Sequence, residues 1–321
     1  MRVVRGSAAL ERPPRRPVLT IGNFDGIHIG HRAILRTVTD RARALDGEAL
    51  VYTFDPHPRK VLRGAEAPGL LTTTEQKLEL LEAAQIDLVV LEPFHVEFSR
   101  TTPEQFVREC IHRRLAPREV YVGYDFHFGR DREGSMRTLT ELGPRLGFAV
   151  TIVPEVTIDG RDVSSTRIRE LLAAGAVEAA SLLLGRPYAA RGCVTRGDQR
   201  GRTLGFPTAN LAPETEVLPG HGVYVGRVRL LDEPGSGSVG PPRGAVFGAV
   251  TNVGRRPTFR PDDVSLAEAH LLGFRGDLYG RRIEVCFEAR LREERRFSGP
   301  EPLREQIGRD VEQASRWLDA S

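Results

Sequence analysis

Two hydrophobic rhythms divide the chain. Up to about residue 185, short apolar runs alternate with segments whose apolar residues recur every three or four positions. "PVLTIG" reads as a buried strand, and "HRAILRTVTDRARAL" puts Ile34, Leu35, Val38, Ala42 and Leu45 on one helical face. "EALVYTF", "IDLVVLE", "REVYVG" and "FAVTIVP" predict further strands. Between them, helices are predicted over "TTEQKLELLEAAQ", over "PEQFVRECIHRRL" with Pro103 at its first position, and over 136–146. Strand and helix alternating in this way predict a parallel sheet covered on both faces. Ligands of such sheets sit at the C-terminal strand ends. The glycine, aspartate and histidine clusters fall at those ends.

"SSTRIRELLAAGAVEAASLLLGRPY" predicts two short helices joined around Gly175, and after Pro187 the rhythm changes. "YAARGCVT", "TANLAP", "GVYVGRVRLL", "AVFGAVTNVG", "AEAHLLGF" and "RRIEVCFEARLR" are strand-like, punctuated by glycine or proline, with no helix between them. They predict an antiparallel sheet closing into a small barrel. "PEPLREQIGRDVEQASRWL" ends the chain as an amphipathic helix, and "DEPGSGSVGPPRG" reads as a hairpin loop. The expected architecture is α/β plus all-β, with domains 1–185 and 186–321.

Length agrees with two domains, since 321 residues exceed one average domain. No apolar run reaches transmembrane length, and "MRVVRGSAALERPPRRP" lacks the apolar core of a secretory signal, so a cytoplasmic location is expected. Cys110, Cys193 and Cys286 lie far apart and form no C-x-x-C pair, which argues against a disulfide framework or a structural zinc. Net charge is only +3, but 44 of the 46 basic residues are arginine, the exceptions being Lys60 and Lys77. Arginine's planar fork suits phosphate oxygens, favouring anionic small-molecule ligands. No basic stripe interleaved with aromatics suggests nucleic acid, and nothing suggests a membrane partner.

The first candidate site is "GNFDGIHIGH", where a strand ends at Gly22 and a helix starts near His31. Backbone N–H groups at a helix start favour an anion. His28 and His31 can both face it, and Gly30 lets the backbone come close. The histidine pair alone also fits a capped helix or a half-formed metal site, but the glycines at a strand-to-helix turn shift the reading toward phosphate chemistry. The decamer resembles the H-x-G-H signature of the nucleotidylyltransferase superfamily, in the form carried by bacterial flavin adenylyltransferases. That resemblance implies a Rossmann-like domain in which His28 and His31 contact ATP phosphates and stabilise charge during in-line attack, without a covalent enzyme intermediate. It also implies ATP contacts from Gly22, Asn23, Phe24, Asp25 and Gly30. "FDPHP" resembles the family's second strand-end motif, around His57. "VGYDFHFG" resembles a third, contributing Asp125 and His127 to flavin or nucleotide binding, with Arg132 following in "GRDREGS". The family pattern has arginine where His127 stands, so the base or phosphate contact supplied there by guanidinium is expected to be weaker, moved or pH-sensitive. "VSSTRIR" resembles the second phosphate motif, with Ser164, Ser165, Thr166 and Arg167. By itself that stretch reads as an ordinary helix cap.

The second candidate site is "RGDQRGRTLGFPTANL". Gly197, Gly201 and Gly205 permit a tight loop, and Pro207 sets up an extended Thr208–Ala209–Asn210. Thr208 and Asn210 then share a side, and hard oxygens beside phosphates suit Mg²⁺. No G-x-x-x-x-G-K-[ST] sequence occurs, which excludes a Walker-type kinase. "LGFPTANL", "GVYVGRV", "TNVGRRPTF", "AEAHLLGF" and "DLYG" together resemble the riboflavin kinase module. The resemblance implies that Thr208 and Asn210 bind Mg²⁺ and ATP phosphates, with Gly197, Gly201, Arg202 and Gly205 around the phosphates. It implies that Glu268 is the general base for the flavin 5′-hydroxyl, and His270 shares its strand face. Ala267 and Gly273 stand where the family carries a branched residue and an aspartate.

The motifs run in order from Val18 to Trp317, and the chain is similar to bifunctional bacterial FAD synthetases. The implied activity is phosphorylation of riboflavin to FMN by the barrel, then adenylylation of FMN to FAD by the α/β domain. Mg-ATP serves both steps, with no prosthetic group, in a monomer or weak homo-oligomer. The alternatives are a relative with one live activity and a non-catalytic flavin-binding regulator.

Overall fold

A computed structural model describes residues 1–197, 200–234, 240–255 and 265–320. Packing divides the chain into two compact units, Met1–Gly69 with Thr74–Ser164, and Leu70–Thr73 with Ser165–Ser321.

The first unit is built on β1 (Arg2–Arg5), β2 (Val18–Ile21), β3 (Ala49–Asp55), β4 (Leu88–Pro93), β5 (Glu119–Gly123) and an eighth strand, Ala149–Val153. Two small hairpins complete its strands: β6 (His127–Phe128) with β7 (Gly134–Ser135), and, after β8 (Ala149–Val153), β9 (Thr157–Ile158) with β10 (Arg161–Asp162). The main sheet runs β1-β4-β3-β2-β5-β8, with every neighbouring pair parallel. Its helices are α1 (Ile29–Ala44), α2 (Pro58–Arg63), α3 (Thr74–Ala83), α4 (Val96–Ser99), α5 (Pro103–Gln105) and α6 (Met136–Arg145).

The strands alternate between two buried faces. Leu19, Ile21, Leu50, Tyr52, Leu88 and Val90 pack on one side with Phe106, Val107, Ile111 and Leu139. Val18, Ala49, Val51 and Val89 pack on the other with Leu35, Val38, Ala42 and Leu81. Double-sided burial explains why these strands read as continuous apolar runs, each fully buried Val or Leu stabilising by about 1.5–3 kcal/mol. β1 was not predicted: "RVVR" is too short to show a period, and its pairing with Leu88–Leu91 of β4 defines it. The helix begun by α5 widens to π geometry over Phe106–Arg113. Beside it a buried network joins Ser7, Tyr52 and Glu92, the Tyr52 hydroxyl donating to Glu92 at 2.6 Å.

β2 is the pivot of the sheet. From it the chain moves to one side through β3 and β4, then returns to the other side for β5 and β8. The crevice at such a reversal is where parallel sheets hold ligands, outside the C-terminal ends of β2 and β5.

The second unit is a closed antiparallel barrel of β11 (Tyr188–Thr195), β12 (Ala209–Pro213), β13 (Gly222–Leu230), β14 (Val246–Arg255), β15 (Ser265–Leu271) and β16 (Arg282–Arg292). Its order is β11-β12-β15-β14-β13-β16, and the β11–β16 pairing closes it. Two helices, α7 (Ser165–Ala173) and α8 (Val177–Leu184), belong to this unit, and Glu178 of α8 accepts the Arg290 backbone N–H at 2.8 Å. The expected boundary near Gly185 concerns where two activities divide, which packing alone does not decide. A one-turn helix, α9 (Arg200–Thr203), interrupts the predicted run of strands. It closes on itself because Phe206 donates its N–H to the Gly201 carbonyl at 2.8 Å. Finally α10 (Pro300–Asp319) covers Val223, Val225, Val250 and Ala289 with Ala314, Trp317 and Leu318. Parts of "DEPGSGSVGPPRG" and "TNVGRRPTF" lie outside the described residues.

Candidate active sites

At the end of β2 the chain makes a loop with three residues in left-handed backbone, Phe24 (φ 51°), Gly26 (φ 82°) and Ile27 (φ 39°). A β-branched residue there costs about 1–3 kcal/mol, a strain found at sites where geometry is over-determined. The loop delivers His28 to the N-cap of α1, where its Nδ1 accepts the His31 N–H at 3.3 Å. The neutral ring therefore carries its proton on Nε2. The two imidazoles stack, with centroids 3.7 Å apart and planes 17° from parallel. A side chain at Gly30 would press to 3.2 Å from the His28 ring and lie 3.8 Å from the Val163 carbonyl. Gly30 thus makes room for the histidine as well as for any ligand. The same contact brings Val163 to the start of α1.

His31 Nδ1 is buried without a hydrogen-bond partner. Burial first, then the neighbouring His28 and Lys77, push the His31 pKa well below its ordinary 6.5. Stacked imidazoles disfavour charge on both, so the ring is neutral and offers an unsatisfied nitrogen at a helix start. Lys77 is buried next to it, 6% exposed, and Asp25 is buried nearby, 4% exposed. Burial lowers the Lys77 pKa, opposed by the charges of Asp25 and Asp55.

The other expected residues of this unit divide into buried and exposed. His57 is buried as the N-cap of α2, its Nδ1 accepting the Arg59 N–H at 3.1 Å. Asp125 and His127 are exposed beyond β5, and His127 Nδ1 lies 2.8 Å from the Asp125 carbonyl, to which it donates. Arg132 is exposed in a left-handed turn at φ 60°. The Tyr124 hydroxyl donates to Asp162 at 2.7 Å, tying the β9–β10 hairpin to the end of β5. That bond raises the Tyr124 pKa to about 12. Gly22 accommodates the Phe24 ring, 3.2 Å from where a Cβ would stand, and Asn23 is exposed. Ser164 ends the first unit, whereas Ser165, Thr166 and Arg167 open α7.

In the barrel, strand register assembles the second constellation. Glu268 on β15 stands opposite Asn210 on β12 and opposite Asn252 on β14. Directly paired residues have Cβ atoms about 4.5–5.5 Å apart on one face, so two amides flank the carboxylate. Asn210 is buried, 9% exposed, and Gly197 lies directly over it: a Cβ there would meet its amide atoms at 2.5–2.6 Å. Gly205 adopts φ 88°, closing the loop before Phe206 and Pro207. Thr208, half-buried, immediately precedes β12, and Arg202 is exposed. His270 does share a face with Glu268, but its Nδ1 donates to the Pro207 carbonyl at 2.8 Å. It anchors the segment carrying Thr208. Gly273 sits at φ 70° in open space.

A family model described as FAD synthetase matches residues 10–167, and one described as riboflavin kinase matches residues 184–318. A bifunctional riboflavin kinase/FMN adenylyltransferase from Haemophilus influenzae is 35% identical over 100% of both chains. The enzyme of that description from Escherichia coli K12 is 37% identical, over 97% of this chain and 96% of its own. The chain belongs to the bifunctional riboflavin kinase/FMN adenylyltransferase family. A solved structure described as a macrolide-efflux protein from Streptococcus pneumoniae matches with TM-score 0.87 and 27% identity, covering 99% of this chain and 100% of that one. That likeness carries fold alone. No described helix is long and apolar enough to cross a membrane.

Three features near these sites are not predicted from the sequence pattern. Lys77 had a visible signal, as one of two lysines against 44 arginines. Asn252 had none, since only the β14–β15 register places it beside Glu268. The third is a run of aromatic rings. Phe94 packs edge-on to Phe54 at 5.7 Å and to Phe98 at 5.8 Å, and Phe126 stacks on Phe128 at 5.3 Å.

Proposed function

We propose that the two units carry the two successive reactions of FAD synthesis, dividing near residue 185. The barrel transfers the γ-phosphoryl group of ATP to riboflavin, and the α/β domain transfers AMP from ATP to the resulting FMN. In the first reaction Glu268 takes the proton of the 5′-hydroxyl while the O5′–Pγ bond forms and the bond to the β-phosphate oxygen breaks, leaving ADP. The pairing of Glu268 with Asn210 on one side and Asn252 on the other supports this. In the second, an FMN phosphate oxygen attacks the α-phosphorus in line, and pyrophosphate leaves. His28, His31 and the α1 N–H groups hold the phosphates, so that rate comes from positioning and charge stabilisation. Asn23 and Asp25 lie in the loop after β2; Ser164, Ser165, Thr166 and Arg167 are assigned to phosphate binding by motif alone. Asp125, His127, Arg132 and His57 serve flavin or nucleotide binding, and the half-buried phenylalanines near Phe54 and Phe126 offer faces for a planar ring.

The donor set before β12 suits Mg²⁺. Thr208 and Asn210 present hard neutral oxygens, and Gly197 leaves over the Asn210 amide a space that a Cβ would fill. Mg²⁺ bound there supplies charge neutralisation on the ATP phosphates. The site also takes Gly201, Arg202 and Gly205 as phosphate neighbours. We place the reactions in the cytoplasm, where three free cysteines persist as thiols.

The observation that carries this reading is the occurrence of two complete constellations, the stacked histidine pair and the Asn210–Glu268–Asn252 row, in separate units. The test resolves products of riboflavin plus Mg-ATP by chromatography. The wild type is expected to give FMN and then FAD. His28→Ala should stop at FMN, and Glu268→Gln should make FAD only from added FMN. Loss of FMN formation in His28→Ala, or of FAD formation from added FMN in Glu268→Gln, with the fold intact, would refute the division.

A further inference from the structure

Lys77 is a buried cation that neither reaction step uses. It lies on α3, 6% exposed, and its ammonium donates to the Phe54 carbonyl at 3.4 Å. Two carboxylates supply the opposing charge, Asp25 in the loop after β2 and Asp55 at the end of β3. Asp55 in turn accepts the Thr74 hydroxyl at 3.1 Å, from the first residue of α3, and faces Arg5 at 3.7 Å. Taking an ammonium out of water is costly unless its field and hydrogen bonds are answered. Here the answer comes from the two loops that carry "GNFDGIHIGH" and "FDPHP". In a chain that otherwise uses guanidinium for 44 of 46 cations, the compact ammonium fits a point where a planar fork does not.

We propose that Lys77 is a positioning residue for adenylyl transfer, its ammonium locking the loops after β2 and β3 together beside His31. The proposal rests on the assignment of that pair to adenylyl transfer. The groups facing the ammonium are Asp25, Asp55 and His31, and His31 also faces His28. Burial, His28 and Lys77 together hold His31 neutral. A triphosphate arriving at the α1 start then meets loops already in place, without reorganisation at the moment of reaction.

The test compares Lys77→Met and Lys77→Arg in the full chain with FMN and Mg-ATP. Lys77→Met should lower kcat for FAD formation about 10- to 100-fold, with KM for FMN changing less, because Lys77 does not touch substrate. It should also raise the His31 titration midpoint, followed by NMR of the ring Cε1–Hε1 signal, since a neighbouring cation has been removed. Lys77→Arg keeps the charge and should leave that midpoint in place with a smaller loss of rate. Circular dichroism and the melting temperature of the α/β unit report that each variant is folded, and unchanged FMN formation from riboflavin reports that the barrel is unaffected. Wild-type kcat and an unmoved midpoint in Lys77→Met overturn the proposal, and so do equal rate losses in both variants with an unmoved midpoint. Should Lys77→Met not fold, Lys77→Arg decides: an unmoved midpoint with partial activity supports it, and a moved midpoint overturns it. His28→Ala is run alongside. If that variant forms FAD normally the site assignment fails, whereas its inactivity beside a normal Lys77→Met defeats only the role of Lys77.

Discussion

Gly197→Ala offers a narrow probe of the barrel site. A methyl group at Gly197 would lie 2.5 Å from Asn210 Oδ1 and 2.6 Å from its Cγ and Nδ2, against the 3.4 Å at which ordinary contact begins. The amide must therefore retreat by about 0.9 Å or rotate away. Asn210 is only 9% exposed, between Thr195 on β11 and Glu268 on β15, so little free space receives it. A misplacement of about 1 Å at a reacting site costs on the order of 10²-fold in rate, equivalent to about 2.7 kcal/mol of activation free energy. The expected result is a loss of that order in riboflavin phosphorylation. FAD formation from supplied FMN should be unchanged, because the histidine pair lies in the other unit. The assay is initial-rate chromatography of FMN and FAD with each flavin as starting substrate, with melting temperature measured in parallel. Wild-type FMN formation in a folded Gly197→Ala protein would refute the placement of the Asn210 amide in the phosphate and metal site.

Three further outcomes follow from other contacts. Arg292 on β16 donates through Nε and Nη2 to both oxygens of buried Asp310 on α10, at 2.7–3.1 Å. Asp310→Ala should cost about 3–5 kcal/mol in urea unfolding, because it strands a partly buried guanidinium; a loss below about 1 kcal/mol would contradict this. His31 gives a pH signature: folded, it stays neutral well below the ordinary 6.5, whereas unfolded it gains a proton near about 6.5. The unfolded state then binds more protons, so stability falls as pH drops from about 6.5 toward the folded pKa, by up to about 1.4 kcal/mol per pH unit. Denaturation at several pH values should show a shallower slope in His31→Gln, and an identical slope would exclude His31 as the source. Removing divalent cation with EDTA should abolish FMN formation, and restoring Mg²⁺ should recover it; FMN formation persisting in EDTA would reject a metal role for Thr208 and Asn210.

The sequence by itself determined the two architectures and their order. Strands buried on both faces must be apolar throughout, so "PVLTIG" and "IDLVVLE" declare themselves, and barrel strands such as "GVYVGRV" declare themselves by glycine punctuation and branched residues. It also located the strand-end glycines and histidines, because the turn chemistry there requires particular residues. Tertiary structure decided what is joined to what. β1 exists only through its pairing with β4, and the one turn of helix at α9 only through the Gly201–Phe206 closure. The sheet pivot at β2 is a matter of strand order, which local periodicity does not encode. Register between β12, β14 and β15 placed Asn252 beside Glu268 and turned His270 to Pro207. Burial gave Lys77 its meaning, since a charge is unremarkable in water and demanding among Asp25, Asp55 and His31. Local pattern fixes which face a residue presents; only the folded chain fixes the neighbour that meets it, and at these sites the neighbour sets the chemistry.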